Sequence, residues 1–540
     1  MYCWWLHILL YASVFSGKHA ELFSDLAGME ATMETERVLL DSLNTYLKNQ
    51  EEQLQLLRKQ YDDYNAEYTM AKKDVTQYLG NPVNAFKIIK RLLIDWKNTQ
   101  RIVEYGIQME FLPEDARKLY AFPEEKDFSS AAEGLVRLQD VYNLDASELA
   151  EGKINGIQYY SSPMTASDCF GLGRHLFELQ FYRKSFDWLN IALSKYEREY
   201  NKTMDKADIL DFLAISAFAI GNFNTAVEIT NEVLKIVPDH PRAIENLPIY
   251  ELTLEITCFI FKIFEDALHM AVHYNENRKI HDGLCREDLE LPEFVKKELK
   301  CRYFSGTHPF LRLAPFKLEE QYLEPYVVAF HEVMYDNEIQ IIKELIHPHL
   351  ERSGVLVDPS LEEGAISKIR ISKSGWLRDE EHEVAARVSR RAAHFTGLAM
   401  ESAEGLQVAV YGLAGHYETH FDFCTKDEEN EGDKRIATVL FYMSDVEEGG
   451  NTVFPDIGVS VKPEKGMALF WLNLLPSGDG NFAMRHAACP VLRGSKYVCT
   501  KWIHQVGQEL KKLCTLEYQE EGTHQEFPKP VKKHAPNKSK

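Results

Sequence analysis

Apolar residues recur every seven positions from Met33 through Leu40, Leu47, Leu54 and Tyr61 to Tyr68, with Leu43, Leu57 and Tyr64 filling most interleaved positions and Glu36 and Gln50 as exceptions. A sustained seven-residue period predicts one long helix whose seam favours pairing between two copies of the chain over packing inside its own domain. Gly80-Asn81-Pro82 stops this helix and starts the next, with Asn81 as N-cap and Pro82 in the first turn. From Thr165 to about Tyr250 the pattern changes to helical hairpins. The block ADILDFLAISAFAIGNFNTAVEITNEVLKIVPDHPRAIEN has the Ala, Gly-Asn, Ala and terminal Pro spacing of a tetratricopeptide repeat. Such hairpins stack and leave a concave groove. Tyr182, Phe212, Phe218 and Phe223 are its candidate lining, and an aromatic groove suits a polyproline II strand. Aromatics at helical spacing are more often core, so only some of the four are expected to face outward.

Further along, residues 251–320 read as more helix and an irregular connection. YVVAFHEVMY then resembles a strand, and Asp336 is placed to cap NEIQIIKELIHPHL, whose Ile339, Ile342 and Ile346 form one stripe. His347 and His349 fall at the frayed end of that helix, where solvent explains them better than metal. A second amphipathic helix runs from about Glu383 to Phe395, and short β segments fill 407–505. Two helices followed by short strands predict a jelly-roll barrel, a double-stranded β-helix, buttressed on one face. The expected fold class is therefore multidomain α + β. Its parts are a helical N-terminal domain over 21–150, a repeat domain over 165–250, a helical linker over 251–320 and the barrel over 321–510. A tail over 519–540, ending PKPVKKHAPNKSK, reads as disordered.

Length and charge narrow the classes. At 540 residues and 45% hydrophobic, three or four domains with ample cores are expected. A net charge of −22 argues against a nucleic-acid partner. Residues 1–20, MYCWWLHILLYASVFSGKHA, read as a secretory signal peptide rather than a membrane anchor, because the apolar run breaks at Ser16-Gly17-Lys18, short of the roughly 20 residues that span a bilayer. The expected address is the secretory lumen, and no membrane span is expected later in the chain. Asn201 (NKT) and Asn537 (NKS) are glycosylation sequons that such an address would expose. Nine cysteines without a CxxC make zinc ribbons and thioredoxin-like chemistry unlikely. Cys285 and Cys301 flank a short helical segment, and Cys489 and Cys514 bracket the end of the barrel. Cys169, Cys258, Cys424 and Cys499 read most simply as buried free thiols.

The chemistry concentrates in YGLAGHYETHFDF, Tyr411 to Phe423. Val408, Val410 and Tyr411 upstream and the aromatic run after Gly415 predict two short strands around a turn, with His420 and Asp422 two residues apart on one face. Phe421 and Phe423 then point the other way. Downstream, His486 opens another strand-like stretch and Lys496 follows ten residues later. Two histidines and a carboxylate on one face leave three positions open, the arrangement of non-heme Fe(II) oxygenases. A lysine nearby would pair with the far carboxylate of 2-oxoglutarate. A zinc hydrolase site is the nearest rival and gives no reason for that lysine.

Through RISKSGWL (Arg370 to Leu377), HYETHFDF, RIATVLFYMSDVEEGGNTVFP (Arg435 to Pro455) and RHAACPVL with KYVCTKWIH, the C-terminal segment resembles the catalytic domain of the collagen prolyl 4-hydroxylase α subunits. NPVNAFKIIKRLLIDW and RLQDVYNLD resemble the same family, so the likeness spans almost the whole chain. Ala414 stands where the family usually has a second glycine and Thr419 where it usually has proline; neither removes a ligating atom. The resemblance implies Fe(II), 2-oxoglutarate and L-ascorbate, with hydroxylation of prolines at C4 in X-Pro-Gly sequences of collagen-like chains. It implies peptide binding by the repeat domain, disulfides Cys285–Cys301 and Cys489–Cys514, and a protein disulfide isomerase partner in an α2β2 tetramer in the endoplasmic reticulum lumen. That partner would also supply the retention signal missing from this C-terminus. Tyr411 and Trp502 are candidates to flank 2-oxoglutarate, and by resemblance Tyr417, Arg435 and His504 are candidates at the substrate mouth. The residues themselves leave open a hydroxylase with a non-collagen target, or a collagen-peptide chaperone with a degenerate iron site.

Overall fold

The computed structural model describes residues 26–106, 125–200, 202–260, 272–306, 309–354, 369–423, 434–514 and 527–533. The expected signal peptide, Asn201, Asn537 and Cys424 lie outside the described residues, as does the side chain of Cys258. Among the described residues no helix is long and apolar enough to cross a membrane.

The long helix is Leu26–Lys73. Its part up to Met70 forms a compact unit of its own with the helix Trp96–Gly106. Tyr64 meets Trp96 with ring centroids 5.3 Å apart, and Gln53 donates to the Ile102 carbonyl at 2.9 Å. Leu47, Leu54, Tyr61 and Tyr68, on the adjacent stripe of the heptad, stay more than half exposed. Residues 71–93 and those from 123 onward belong instead to the second unit, so the helical domain expected over 21–150 is divided between the two.

Within the second unit Asn81 caps the helix Pro82–Lys90 as expected, its side chain accepting from Val83 N–H at 2.9 Å. The helix Glu125–Tyr142 packs on it through Phe86 and Phe128, 5.4 Å apart. Five helices follow as hairpins: Ala166–Glu178, Tyr182–Arg198, Lys206–Ala219, Phe223–Ile236 and Pro241–Ile260. Gly173 permits a close approach of the first two, since a Cβ there would lie 2.8 Å from Leu189 Cγ. The aromatics fall into two half-buried groups. Phe212 and Tyr182 both meet Phe177, at 6.4 and 5.2 Å, and Phe218 stacks on Tyr250 at 4.4 Å with Phe223 5.2 Å away.

The C-terminal part is two facing antiparallel sheets. The larger runs in the order Cys301–Phe304, Phe316–Tyr322, Val327–His331, Ala468–Leu472, Arg435–Tyr442, Lys496–His504, Leu406–Tyr411, Lys373–Leu377, Glu351–Arg352. The smaller runs Tyr417–His420, His486–Ala488, Thr452–Phe454, Val459–Val461. Strand periodicity divides the larger sheet's side chains between two cores. Ala437, Val439, Phe441, Cys499 and Ile503 pack under the helices Asp336–Ile346 and Glu383–Thr396. Tyr442, Leu469, Trp471 and Val498 face the smaller sheet's Phe454, Val459 and Val461. This is the expected barrel buttressed on one face.

Three expectations change. Asp336 is the first helical residue rather than the cap; Glu338 reaches back instead and accepts from Tyr335 N–H at 3.0 Å. The tail is ordered over 527–533, because Val531–Lys532 adds a strand to Leu289–Glu290 and Phe527 packs against the core between the sheets. The disulfide pairing also differs: Cys285 bonds Cys489, 204 residues away, while Cys301 and Cys514 are exposed thiols. The helix Val272–Cys285 lies on the smaller sheet, where Leu284 and Cys285 share a core with Val453, Ala487 and Cys489. Cys301 is carried away on the edge strand of the larger sheet, opposite Glu319. Cys169 and Cys499 are buried thiols, as expected. Proteolytic mapping without reductant is expected to recover the Cys285 peptide linked to the Cys489 peptide; a Cys285–Cys301 crosslink would contradict this packing.

Candidate metal centre

His420 and His486 face each other as direct cross-strand partners between Tyr417–His420 and His486–Ala488. A backbone carbonyl two residues earlier fixes each ring. His420 Nδ1–H donates to the Glu418 carbonyl at 2.8 Å and His486 Nδ1–H to the Met484 carbonyl at 3.0 Å. Both Nε2 lone pairs are thereby left facing the carboxylate of Asp422, whose oxygens lie 3.6 Å from His420 Nε2 and 3.7 Å from His486 Nε2. Asp422 was expected on the same strand as His420, but the strand ends at His420 and Asp422 sits in the bend that follows. It is held from the opposite sheet: Oδ2 accepts from Thr438 Oγ1 at 2.7 Å, and Thr438 accepts from Asn473 Nδ2 at 2.9 Å.

The electrostatics fit a cation between these three groups. Burial lowers the pKa of His420, and the nearby His486 lowers it further. Burial alone would raise Asp422, yet the two imidazoles and the Thr438 hydroxyl hold it below its ordinary value. One ligand atom from each residue falls within a cluster no wider than 4.8 Å. A metal takes its histidine ligands unprotonated and its carboxylate ionised, the direction in which burial moves His420 and the surroundings move Asp422. A second group of candidate ligands, His281 with Cys285 and Cys489, has its two sulfurs bonded to each other.

The same cavity is lined by Arg370, Tyr411, Tyr417, Thr452, Lys496 and Trp502. Lys496 opens the strand Lys496–His504, and the two-residue period that sends Cys499 and Ile503 toward the helices sends Lys496, Val498, Thr500 and Trp502 inward. Its side chain is 1% exposed, donates to Thr452 Oγ1 at 3.3 Å and has no acidic partner among the described residues. Desolvation lowers its pKa to about 7. Tyr417 stacks on the His420 ring at 3.6 Å, and burial raises its hydroxyl to about 12, so it remains a proton donor.

Seven expected residues meet in this cavity: Tyr411, Tyr417, His420, Asp422, His486, Lys496 and Trp502. Arg435 and His504 do not line it. Glu404 holds both, with Arg435 Nη2 at 3.0 Å and His504 Nε2 at 3.0 Å, while the Arg435 guanidinium lies 3.9 Å over the Trp502 ring. Sequence reasoning missed Thr438, Thr452, Glu404 and Arg370. Parity along RIATVLFY places Thr438 on the inward face and was the available signal; Glu404 lies in the irregular connection before the strand Leu406–Tyr411 and left none. Arg370 is buried in the cavity wall on neutral partners, Ser372 Oγ at 3.0 Å and Gln407 Oε1 at 2.9 Å.

Comparisons with known proteins agree in order and extent. Residues 25–156 match the model of the prolyl 4-hydroxylase alpha-subunit N-terminal region, 166–256 that of the prolyl 4-hydroxylase peptide-substrate-binding domain, and 406–504 that of the 2OG-Fe(II) oxygenase superfamily. Human prolyl 4-hydroxylase subunit alpha-1 is 38% identical over 515 residues, covering 92% of this chain and 96% of the relative. Chicken subunit alpha-2 is 37% identical over 528 residues, covering 94% and 98%. Caenorhabditis elegans subunit alpha-2 is 38% identical over 511 residues, covering 92% and 94%. A cavity of two histidines, one carboxylate and a buried lysine thus sits in a chain that is alike over nearly its whole length, and the chain belongs to the prolyl 4-hydroxylase α-subunit family.

Proposed function

We propose that this chain is a 2-oxoglutarate- and Fe(II)-dependent dioxygenase that hydroxylates prolines at C4 in X-Pro-Gly sequences of collagen-like chains. The observation that carries the reading is Lys496, a cation buried without an acidic partner among the described residues, in the cavity that holds the three metal-ligating side chains. Burying an ammonium costs several kcal/mol unless a negative group compensates it. A small dicarboxylate supplies that group, and a zinc hydrolase has no use for it.

His420, Asp422 and His486 would hold Fe(II), and Lys496 with Thr452 would take the distal carboxylate of 2-oxoglutarate. When bound, iron and 2-oxoglutarate supply oxidative hydroxylation of an unactivated C–H bond by O2, with release of succinate and CO2. The chain's own part is alignment and exclusion of water. The Glu418 and Met484 carbonyls keep each imidazole proton on Nδ1, and Thr438 with Asn473 fixes the rotation of Asp422. Trp471 against His486, ring centroids 4.8 Å apart, and Phe454 behind it give the centre an apolar wall. Tyr411 lies across from Lys496 in register and Trp502 three rungs inward, flanking the cosubstrate; Tyr417 offers a neutral donor toward the incoming peptide. Arg435 and His504, bound by Glu404 beside Trp502, would shape the approach to the cavity rather than touch the reacting ring.

Tyr182, Phe212, Phe218 and Phe223, half-buried on the repeat hairpins, are the proposed seats for proline rings. Ascorbate and a disulfide isomerase partner come with the family resemblance, lumenal residence and glycosylation at Asn201 and Asn537 with the N-terminal apolar run and the two sequons, and the exposed stripe Leu47, Leu54, Tyr61 and Tyr68 supports self-association of the long helix. Incubation of the assembled protein with (Pro-Pro-Gly) repeats, Fe(II) and 2-oxoglutarate is expected to give 4-hydroxyproline and succinate in equal amounts, and His486→Ala none. Succinate without peptidyl hydroxyproline would point to another target, and no succinate at all would leave a peptide-binding chaperone.

Lys496 carries a pH signature. Its depressed pKa means that below about pH 7 the ammonium is already present to receive a carboxylate. Above that pH binding must take up a proton, so affinity falls as pH rises, by at most roughly tenfold per unit. Calorimetric titration of 2-oxoglutarate in buffers of different ionisation enthalpy is expected to show proton uptake at pH 8. Lys496→Ala should abolish that uptake and weaken binding by about 2 to 5 kcal/mol. Proton uptake unchanged in Lys496→Ala would place the carboxylate elsewhere.

A further inference from the structure

The helix Glu125–Tyr142 falls within the stretch expected as a helical N-terminal domain, yet two of its side chains end on the segments that carry the histidines. Arg137 donates from Nη1 to the Ala414 carbonyl at 3.2 Å, in the turn leading into the His420 strand. Tyr142 donates its hydroxyl to the Pro490 carbonyl, in the segment leaving the His486 strand. These two segments are zipped to each other by Ala414 N–H to Val491 O at 2.8 Å and Val491 N–H to Gly415 O at 3.1 Å. Ala414 sits at φ +55°, a left-handed conformation that is strained for a non-glycine residue and persists only where its surroundings enforce it.

Composition of the helix points the same way. A mid-helix glycine is destabilising relative to alanine and needs a reason. Gly134 has a packing reason: a Cβ there would lie 3.1 Å from the Ala414 Cβ. The helix is itself anchored from behind, where buried Trp188 of the first hairpin donates Nε1–H to Gln139 Oε1 at 3.1 Å. On the barrel side Val141 shares a core with Ala487 and Cys489, the residues after His486.

We propose that Arg137 and Tyr142 are positioning residues for the metal centre: they set the spacing of His420 and His486 by clamping the turn into one strand and the exit from the other. The inference rests on the reading of His420, Asp422 and His486 as metal ligands. Because the two histidines face each other across one antiparallel pair, a shift of either flanking segment changes the separation of their Nε2 atoms directly. Groups hydrogen-bonded directly to metal ligands are worth about ten- to a hundredfold in affinity, and Arg137 and Tyr142, which act one step further out through the backbone, are expected at the lower end.

The test uses Co(II), which takes the same imidazole and carboxylate donors and reports its surroundings by visible absorption, titrated into the metal-free assembled protein. Arg137→Ala and Tyr142→Phe are expected to weaken Co(II) binding about tenfold and to shift the absorption bands. Arg137→Lys, which keeps a donor in reach, should recover part of both. A purely structural role would lower the unfolding temperature and leave the affinity and spectrum of the folded protein unchanged. Wild-type affinity and spectrum in both variants, with binding lost in His420→Ala, overturns the positioning role and leaves the metal reading standing. Should wild type itself bind no Co(II), the metal reading fails and the inference with it. Tyr142→Phe removes a single hydroxyl and decides the matter even if Arg137→Ala does not fold.

Discussion

The antiparallel pairing of Tyr417–His420 with His486–Ala488 is the constraint on which the site depends. Register is all-or-none in a sheet, because a slip of one residue turns every side chain to the opposite face. With His420 opposite His486, two imidazoles 66 positions apart in sequence converge, and only a carboxylate is then missing. Asp422 arrives from the bend beyond the strand and is tied to Thr438 on the opposing sheet. The centre therefore bridges both sheets of the barrel, and the packing of one against the other, through Phe454, Trp471 and Tyr442, is what keeps its ligands in reach.

Charge is managed by the same geometry. Each sheet contributes part of an enclosure that strips water from Lys496, and the lysine answers by losing affinity for its proton. Arg370 is likewise buried on neutral partners nearby. With Arg370 a fixed cation, Lys496 poised to take up a proton and the one carboxylate in the lining committed to the imidazoles, an anionic occupant is favourable and would bring the lysine back to its charged form.

Much of this was legible in the residues. Period-two alternation brings Lys496 inward with Val498, Thr500 and Trp502, and the heptad and hairpin patterns located the long helix and the repeat helices. What stayed hidden depends on contacts without a local pattern. The Cys285–Cys489 bond follows from where the helix Val272–Cys285 docks, and Arg137 meets Ala414 across 277 positions. Arg435 and His504 look like polar residues at the ends of two neighbouring strands until Glu404, from the connection before a third, claims both. Asp422 shows the limit of periodicity itself: the spacing from His420 was right, and the strand had already ended.

The central claim is that one cavity holds both the metal and a dicarboxylate bound by Lys496. Anaerobic titration of 2-oxoglutarate into the Fe(II)-loaded protein, followed by the visible charge-transfer band that an iron-bound 2-oxo acid produces, reads both at once. The account predicts a saturable band in wild type, the same band at much higher 2-oxoglutarate concentration in Lys496→Ala, and none in His420→Ala. A wild-type protein that binds Fe(II) and develops no band would contradict it.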